Sequence, residues 1–194
     1  MLTFITSHVG MIVGLIVLAI VIIFFAVGYL KAPPDVAYII SGLRATPRIL
    51  VGKSGFRIPF IERVDKLPLK LMQVDIKTDS VPTEEYINIY IDGVANVRVG
   101  QSDEDIRTAA RNFLYKSDAE ISTISQQVLE GNMREIIGKM KLSELVHDRD
   151  TFAMNIQNSA TPEMKAMGLE VVNLTIQSFS DENKVIENLG MDNI

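Results

Sequence analysis

The tripeptide Gly52-Lys53-Ser54 lies within "RILVGKSGFRIPFIERV", Arg48 to Val64. Its residue types match the end of a phosphate-binding loop: glycine for close backbone approach, lysine for phosphate charge, a hydroxyl for a metal ion. That chemistry needs G-x-x-x-x-G-K-[ST] on a strand-to-helix turn, where backbone N–H groups form the phosphate cradle. The first glycine would fall where the chain has Pro47, and Gly55-Phe56-Arg57-Ile58-Pro59 cannot open a helix after Ser54. Gly52 to Gly55 therefore reads as a tight turn between strands, with Lys53 solvated or facing lipid phosphate. No nucleophile elbow, H-E-x-x-H or paired metal-ligand spacing occurs, and His8 and His147 are far apart. The acidic groups Glu84-Glu85 and Asp103-Glu104-Asp105 fall at turns and helix starts, where solvation and the helix dipole account for them. The sequon Asn173-Leu174-Thr175 sits on a predicted strand and is expected to be silent. No catalytic residue, metal site or cofactor is implied, and the expectation is a protein that is not an enzyme.

What positions this segment begins upstream. Residues 1–30 contain no Asp, Glu, Lys or Arg, and Lys31 is the first charged side chain. From Val9 to Leu30 the chain reads "VGMIVGLIVLAIVIIFFAVGYL", in which 15 of 22 residues are Val, Ile, Leu or Phe. As a helix this is about 33 Å long, enough for a bilayer core of about 30 Å. Each such side chain favours insertion by roughly 0.3–0.6 kcal/mol. A secretory signal would need a basic start and a shorter apolar core. The span is thus expected over about 9–30, with a re-entrant hairpin around Gly10, Gly14 or Gly28 as its competitor. Gly10-x-x-x-Gly14 also matches a weak helix-pairing pattern.

Charge orients the span. All Lys and Arg lie C-terminal to it, so Lys31 onward is expected in the cytoplasm. Residues 31–77 carry nine Lys/Arg and four Asp/Glu, a net of +5, and residues 78–194 carry ten and twenty, a net of −10. The basic part adjoins the membrane, where anionic headgroups attract it. The acidic distal part argues against a nucleic-acid partner. There is no Cys, which excludes disulfides, thiol catalysis, Cys-based zinc sites and S-palmitoylation, and residue 2 is Leu, which excludes N-myristoylation.

Pro33-Pro34 starts a new unit. Strand signals follow at "VAYII" from Val36, "RILV" from Arg48 and "LKLMQVDIK" from Leu69, punctuated by Gly and Pro. From Tyr86 to Val99, Ile87, Ile89, Ile91, Gly93, Ala95, Val97 and Val99 alternate with Asn88, Tyr90, Asp92, Val94, Asn96 and Arg98, a long strand with one face in a core. Asp92-Gly93 could place a bulge midway. Ser102 with Asp105 and Ser117 with Glu120 resemble capping boxes. They open one helix with Ile106, Ala109, Ala110, Phe113 and Leu114 on a face, and another with Ile121, Ile124, Val128, Ile136 and Met140 as its core. Asp148 or Asp150 caps a third, lined by Phe152, Ile156, Ala160, Met164 and Met167, which Thr161-Pro162 should kink or restart before Gly168. "LEVVNLTIQSF" reads as a last strand, and Ser180 or Asp181 as the cap of a short terminal helix ended by Gly190. Strands, then helices, then a returning strand indicate an α+β fold. The division is anchor 1–30, β-rich first half 31–85 and α/β second half 86–194.

Within "GFRIPFIERV", Phe56, Ile58, Phe60 and Ile61 are flanked by Arg57 and Arg63. These read first as core contacts of a small sheet, and alternatively as a loop dipping into the bilayer interface. Lys31, Lys53, Phe56, Arg57, Phe60 and Arg63 are the membrane-interface candidates.

"LEGNMREIIGKMKLSELVHDRDTF" followed by "MGLEVVNLTIQSFSDEN" resembles the flotillin branch of the stomatin/prohibitin/flotillin (SPFH, band 7) superfamily. The features are Glu130-Gly131, Arg134 before Ile136-Ile137-Gly138, Leu142 before Glu144, Asp148-Arg149 before Phe152, Met167-Gly168-Leu169-Glu170, Ser180-Asp181-Glu182-Asn183 and Leu189-Gly190. "GFRIPFIERVDKLPL" looks like the first half of the same domain. The resemblance covers about residues 31–194, and the uncharged N-terminal segment looks like the bacterial members. It implies an α+β band 7 domain on the cytoplasmic face of the cell membrane and a non-enzymatic scaffold organising lipid and protein microdomains. Implied partners are the bilayer with its anionic headgroups and other membrane proteins. It also implies a homo-oligomer built through an Ala/Glu-rich coiled coil that would begin where this sequence ends, so residues 1–194 are expected to associate weakly. The alternative function is a regulatory subunit that binds a membrane protease or transporter.

Overall fold

The computed structural model describes residues 2–44 and 46–181, with side chains from residue 10 onward. The chain divides into two compact units, Met1–Leu67 and Pro68–Ile194.

In the first unit, α1 (Leu2–Gly28) is one uninterrupted helix. Its stretch Gly10–Gly28 is long and apolar enough to cross a membrane, and its side chains from Met11 to Val27 are exposed. The helix stops short of the expected end. Tyr29 and Leu30 instead enter strand β1 (Tyr29–Lys31), because their backbone pairs with a strand downstream and that pairing replaces the last helical turn. The sheet of this unit is built from β2 (Val36–Ser41), β3 (Arg48–Leu50) and β5 (Arg63–Pro68) in the order β3-β2-β5. The short strand β4 (Ser54–Phe56) leaves this sheet to pair antiparallel with β1. The core of the sheet is Ala37, Ile39, Ile40 and Leu67.

In the second unit, β6 (Met72–Pro82), β7 (Asn88–Val99) and β8 (Leu169–Asp181) form an antiparallel sheet in the order β6-β7-β8. β6, which the 31–85 division places with the first half, therefore pairs with β7. It starts at Met72, since Lys70 and Leu71 are not in strand. β7 starts at Asn88 rather than at the expected Tyr86, because Tyr86 closes a turn, its N donating to Thr83 O at 3.0 Å with φ +61°, and Ile87 is only half-buried. From Asn88 on the alternation is as expected, with Ile89, Ile91, Ala95, Val97 and Val99 buried and Asn88 exposed. The register shifts opposite Asp92/Gly93, but the extra residue is Gln177 on β8, so the bulge lies on the partner strand. The other sheet face is polar and tied across strands by Asn96 to Asn173 at 2.8 Å, Arg98 to Glu170 at 2.7 Å and Ser178 to Asp92 at 3.1 Å.

The buried face carries helices. α2 (Asp103–Phe113) is capped by Ser102 Oγ, which accepts from Asp105 N at 3.0 Å. α3 (Asp118–Ile137) opens on a complete capping box of Ser117 and Glu120. A short α4 (Leu142–His147), absent from the sequence expectation, precedes α5 (Arg149–Ala166), whose Asp148 cap accepts from Thr151 N at 3.0 Å. α3 packs on β6, α5 on β8, and the two helices on each other.

Three expectations need correction. The buried line of α3 is Ile121, Ser125, Leu129, Asn132, Met133 and Ile137, while Ile124, Val128, Ile136 and Met140 are only half-buried. The stripe is rotated because its two polar members satisfy themselves within the helix: Ser125 Oγ donates to Ile121 O at 2.9 Å and Asn132 Nδ2 to Val128 O at 3.0 Å. Pro162 lies inside α5 without interrupting it. It sits in the last turns, where Thr161 Oγ1 donates to Gln157 O at 2.7 Å and the helix runs only four residues further. The last strand runs past the expected Phe179 to Asp181, because Ser180 and Asp181 pair with Tyr90 and Ile89, and the terminal helix that Ser180 or Asp181 was expected to cap lies outside the described residues.

Gly168 ends α5 with φ +82°, the left-handed C′ conformation. A Cβ there would also run into the backbone of Asp105 and Ala109, so this glycine lets the helix end lie directly on α2.

Candidate membrane interface

The first unit joins the end of α1 to the segment 52–62. The register of the β1–β4 ribbon is Tyr29↔Phe56, Leu30↔Gly55 and Lys31↔Ser54. The zipper extends at both ends, with Arg57 N donating to Gly28 O at 2.8 Å and Ala32 N to Lys53 O at 3.0 Å. Because β4 runs antiparallel to the outgoing chain, Phe56 and Arg57 return to the level of the helix end. Phe56 then packs its ring on Phe24 and Phe25, at centroid separations of 6.0 and 5.6 Å. Gly28 makes the approach possible, since a Cβ on it would strike the Phe56 ring and stand 2.7 Å from Arg57 O.

Beyond Arg57 the chain turns. Ile61 N and Glu62 N both donate to Ile58 O, at 3.3 and 3.0 Å. Pro59 is buried, but Phe60 is fully exposed and Ile61 is 58% exposed. Phe60 also has φ +68°, a backbone conformation that costs a bulky L-residue of order 1 kcal/mol or more. The expectation of core contacts in a small sheet therefore fails for Phe60 and Ile61; Phe56 and Ile58 are half-buried, and the Phe56 ring packs on the end of α1.

A buried ion pair holds this turn. Glu62 is 7% exposed and receives Arg48 Nη2 on both oxygens, at 3.0 and 2.9 Å. Glu62 Oε2 also accepts from Ile58 N at 2.9 Å, and the same Arg48 nitrogen donates to Phe56 O at 3.1 Å. One guanidinium thus ties β3, the end of β4 and the far side of the turn together, with the charges compensated as burial requires.

Each residue singled out from sequence has a place here. Lys31 is exposed on β1 and Lys53 is exposed in the bend between β3 and β4. That bend leads into a strand, so no helix N-terminus stands behind Gly52-Lys53-Ser54, and the phosphate-loop reading fails on geometry as it does on sequence. Arg57 is half-buried, and its Nε has no hydrogen-bond partner among the described residues. Arg63 follows the turn directly, is exposed, and its Nε donates to Asp65 Oδ1 at 2.9 Å. Residues missed from sequence are Arg48 and Glu62, and the hydroxyls of Tyr29 and Ser54, which lie 3.0 Å apart. Opposite charges 14 positions apart carry no local signal. Only the pairing of the strands brings them together.

The arrangement offers a continuous helix, an aromatic cluster at its end, an exposed apolar turn beside that cluster and ammonium groups past it. Such a sequence of surfaces suits a bilayer boundary.

Comparison with known proteins bears on the whole chain. Flotillin-like protein FloT of Bacillus subtilis (strain 168) is 32% identical over 203 aligned positions, covering 97% of this chain and 40% of that protein. Flotillin-1 of Drosophila melanogaster is 32% identical over 166 positions, 84% of this chain and 39% of its own. Human Flotillin-1 is 30% identical over 159 positions, 81% of this chain and 37% of its own. The chain spans about two fifths of the length of these relatives. The SPFH domain / Band 7 family matches residues 30–194. That match takes in both three-stranded sheets and the helical layer, so the flotillin resemblance holds and the chain belongs to the SPFH domain / Band 7 family.

Proposed function

We propose that this chain is the membrane-seated part of a scaffold that organises lipid and protein microdomains, with Lys31 onward in the cytoplasm. α1 spans the bilayer and the 57–62 turn enters the interface beside it. The observation that carries this reading is Phe60: a bulky residue in a strained backbone conformation, fully exposed, on a turn held by a buried ion pair and adjacent to the aromatic end of the apolar helix. In water such a side chain gains nothing. Its transfer into the acyl boundary is worth about 2 kcal/mol, enough to offset the strain. The flotillin relatives and the positive charge gathered after the span support the scaffold and its orientation. Homo-oligomers and other membrane proteins are the partners this role requires.

The chain has no Trp, so Phe60→Trp supplies a single reporter. In bilayers its emission should be blue-shifted and quenched by lipids brominated on their acyl chains, while Tyr115→Trp stays water-exposed and unquenched. A water-like Phe60→Trp signal overturns the placement. Absence of Cys gives the orientation test: an impermeant maleimide applied to intact cells should label Thr3→Cys and spare Met154→Cys, and the reverse pattern overturns the orientation. Mild solubilisation should recover many substoichiometric membrane proteins. A single stoichiometric protease or transporter would replace the scaffold with a regulatory subunit.

A further inference from the structure

We propose that one face of the β1–β4 ribbon binds the phosphodiester of a single anionic phospholipid, through the hydroxyls of Tyr29 and Ser54 and the ammonium of Lys31. This rests on the bilayer placement proposed above and names the lipid chemistry it selects.

Directly opposed residues of an antiparallel pair share a face, and so do residues two apart on one strand. Tyr29↔Phe56 and Lys31↔Ser54 therefore put Tyr29, Lys31, Ser54 and Phe56 on the same side. Leu30 and Gly55 take the other side, where Gly55 lies against Leu50. The shared face is graded along its length. At the helix end is the Phe56 ring, packed on Phe24 and Phe25. Next come the two hydroxyls, 3.0 Å apart. Lys31 stands past them, one two-residue step or about 7 Å from Tyr29 along the strand. Apolar, hydroxyl and ammonium groups thus succeed one another in the order in which a bilayer presents acyl chain, glycerol–phosphate and headgroup.

The chemistry of each group fits an anionic phosphodiester. When one hydroxyl of the Tyr29–Ser54 pair donates to the other, the second O–H remains free to donate to a phosphate oxygen. Tyr29 is 60% exposed, and Lys31 and Ser54 are exposed. Lys31 makes no ion pair among the described residues, and the ribbon strands contain no carboxylate to neutralise it. The helix supplies no charge of its own, so Lys31 is the first cation a lipid meets on leaving the span. A zwitterionic headgroup would place its own cation near that ammonium. Free phosphate would leave the Phe56 end of the face unused.

The test uses residues 1–194 in mild detergent, with native mass spectrometry counting retained lipid. Dioleoyl phosphatidylglycerol should be retained at one per chain, at least fivefold better than dioleoyl phosphatidylcholine. Lys31→Gln should reduce that preference three- to tenfold, Tyr29→Phe and Ser54→Ala each about threefold, and Lys31→Arg should restore it. Lys66→Gln, the same charge change on the other sheet, should leave it unchanged. Equal retention of both lipids, an equal loss in Lys66→Gln, or displacement of the lipid from the wild type by inorganic phosphate overturns the proposal. Phe60→Trp in nanodiscs of the same lipids separates the two claims. A buried Trp without lipid preference refutes the headgroup site alone, and a water-exposed Trp refutes the bilayer placement and the site with it.

Discussion

Both carboxylate oxygens of Glu62 accept from the same guanidinium nitrogen of Arg48, at 3.0 and 2.9 Å, and the carboxylate side chain is 4% exposed. The pair stands under the most exposed apolar turn of the first unit. Removing one partner leaves a buried charge, so Arg48→Ala should cost about 3 kcal/mol, at the lower end for such pairs because Arg48 is a third exposed. Arg48→Met with Glu62→Leu should recover most of that loss but not the order of the turn, since Ile58 N loses its acceptor. Thermal melts report the first effect. Hydrogen exchange at the Ile58 amide reports the second, with faster exchange expected in the double variant. Unchanged exchange would show that the ion pair does not hold the turn.

The junction of helix and ribbon depends on a missing side chain. Gly28→Ala must displace either the Phe56 ring or the Arg57 carbonyl, at a cost of about 1–3 kcal/mol. Exchange at the Arg57 amide, which donates to Gly28 O, should accelerate at least tenfold. Gly14→Ala, with nothing within 4 Å of its Cβ, should change neither stability nor that exchange.

The long central strand gives a direct test of register. Ile89 is fully buried and Asn88 is exposed. Ile89→Ala should cost about 2–5 kcal/mol and Asn88→Ala within about 0.5 kcal/mol. Denaturant titration measures both, and equal costs would refute the register.

Two helix caps set part of the acid response. Hydrogen bonds from the Thr151 side chain and then its backbone hold the Asp148 carboxyl below the usual range. The Ser117 backbone and then its hydroxyl do the same for Glu120, with Lys116 adding a smaller effect. A carboxyl whose pKa is lowered by folding stabilises the fold above its unfolded pKa, about 4, and that contribution is lost as pH falls through the folded value. Asp148→Asn and Glu120→Gln should therefore flatten the acid limb of Tm against pH. Their difference from the wild type should be largest near neutrality and vanish at the acid end. A constant offset across the whole range would contradict the linkage.

The sequence by itself determined what depends on local composition and period. The uncharged run before Lys31 is long enough to span, whatever it packs against, because insertion sums over single side chains. The alternation of Ile89, Ile91, Ala95, Val97 and Val99 fixed a strand and its inner face, and Ser117 with Glu120 fixed a helix start, since each rests on neighbours within a few residues. The flotillin-like motifs of the second half carried the fold class with them. Tertiary structure decided the rest. β4 left its neighbours to pair with β1, which shortened the helix at Gly28 and drew Phe56 onto Phe24 and Phe25. Arg48 met Glu62 only because β3 and β5 flank the same strand. The buried stripe of α3 ran through Ser125 and Asn132 rather than Ile124 and Val128, because polar side chains bonded to their own helix carbonyls can be buried at little cost. For the β1–β4 ribbon and the Arg48–Glu62 pair the deciding contacts join residues far apart in sequence, and in α3 the deciding bonds are local ones from polar side chains, four residues apart; hydrophobic pattern along the chain contains a term for neither.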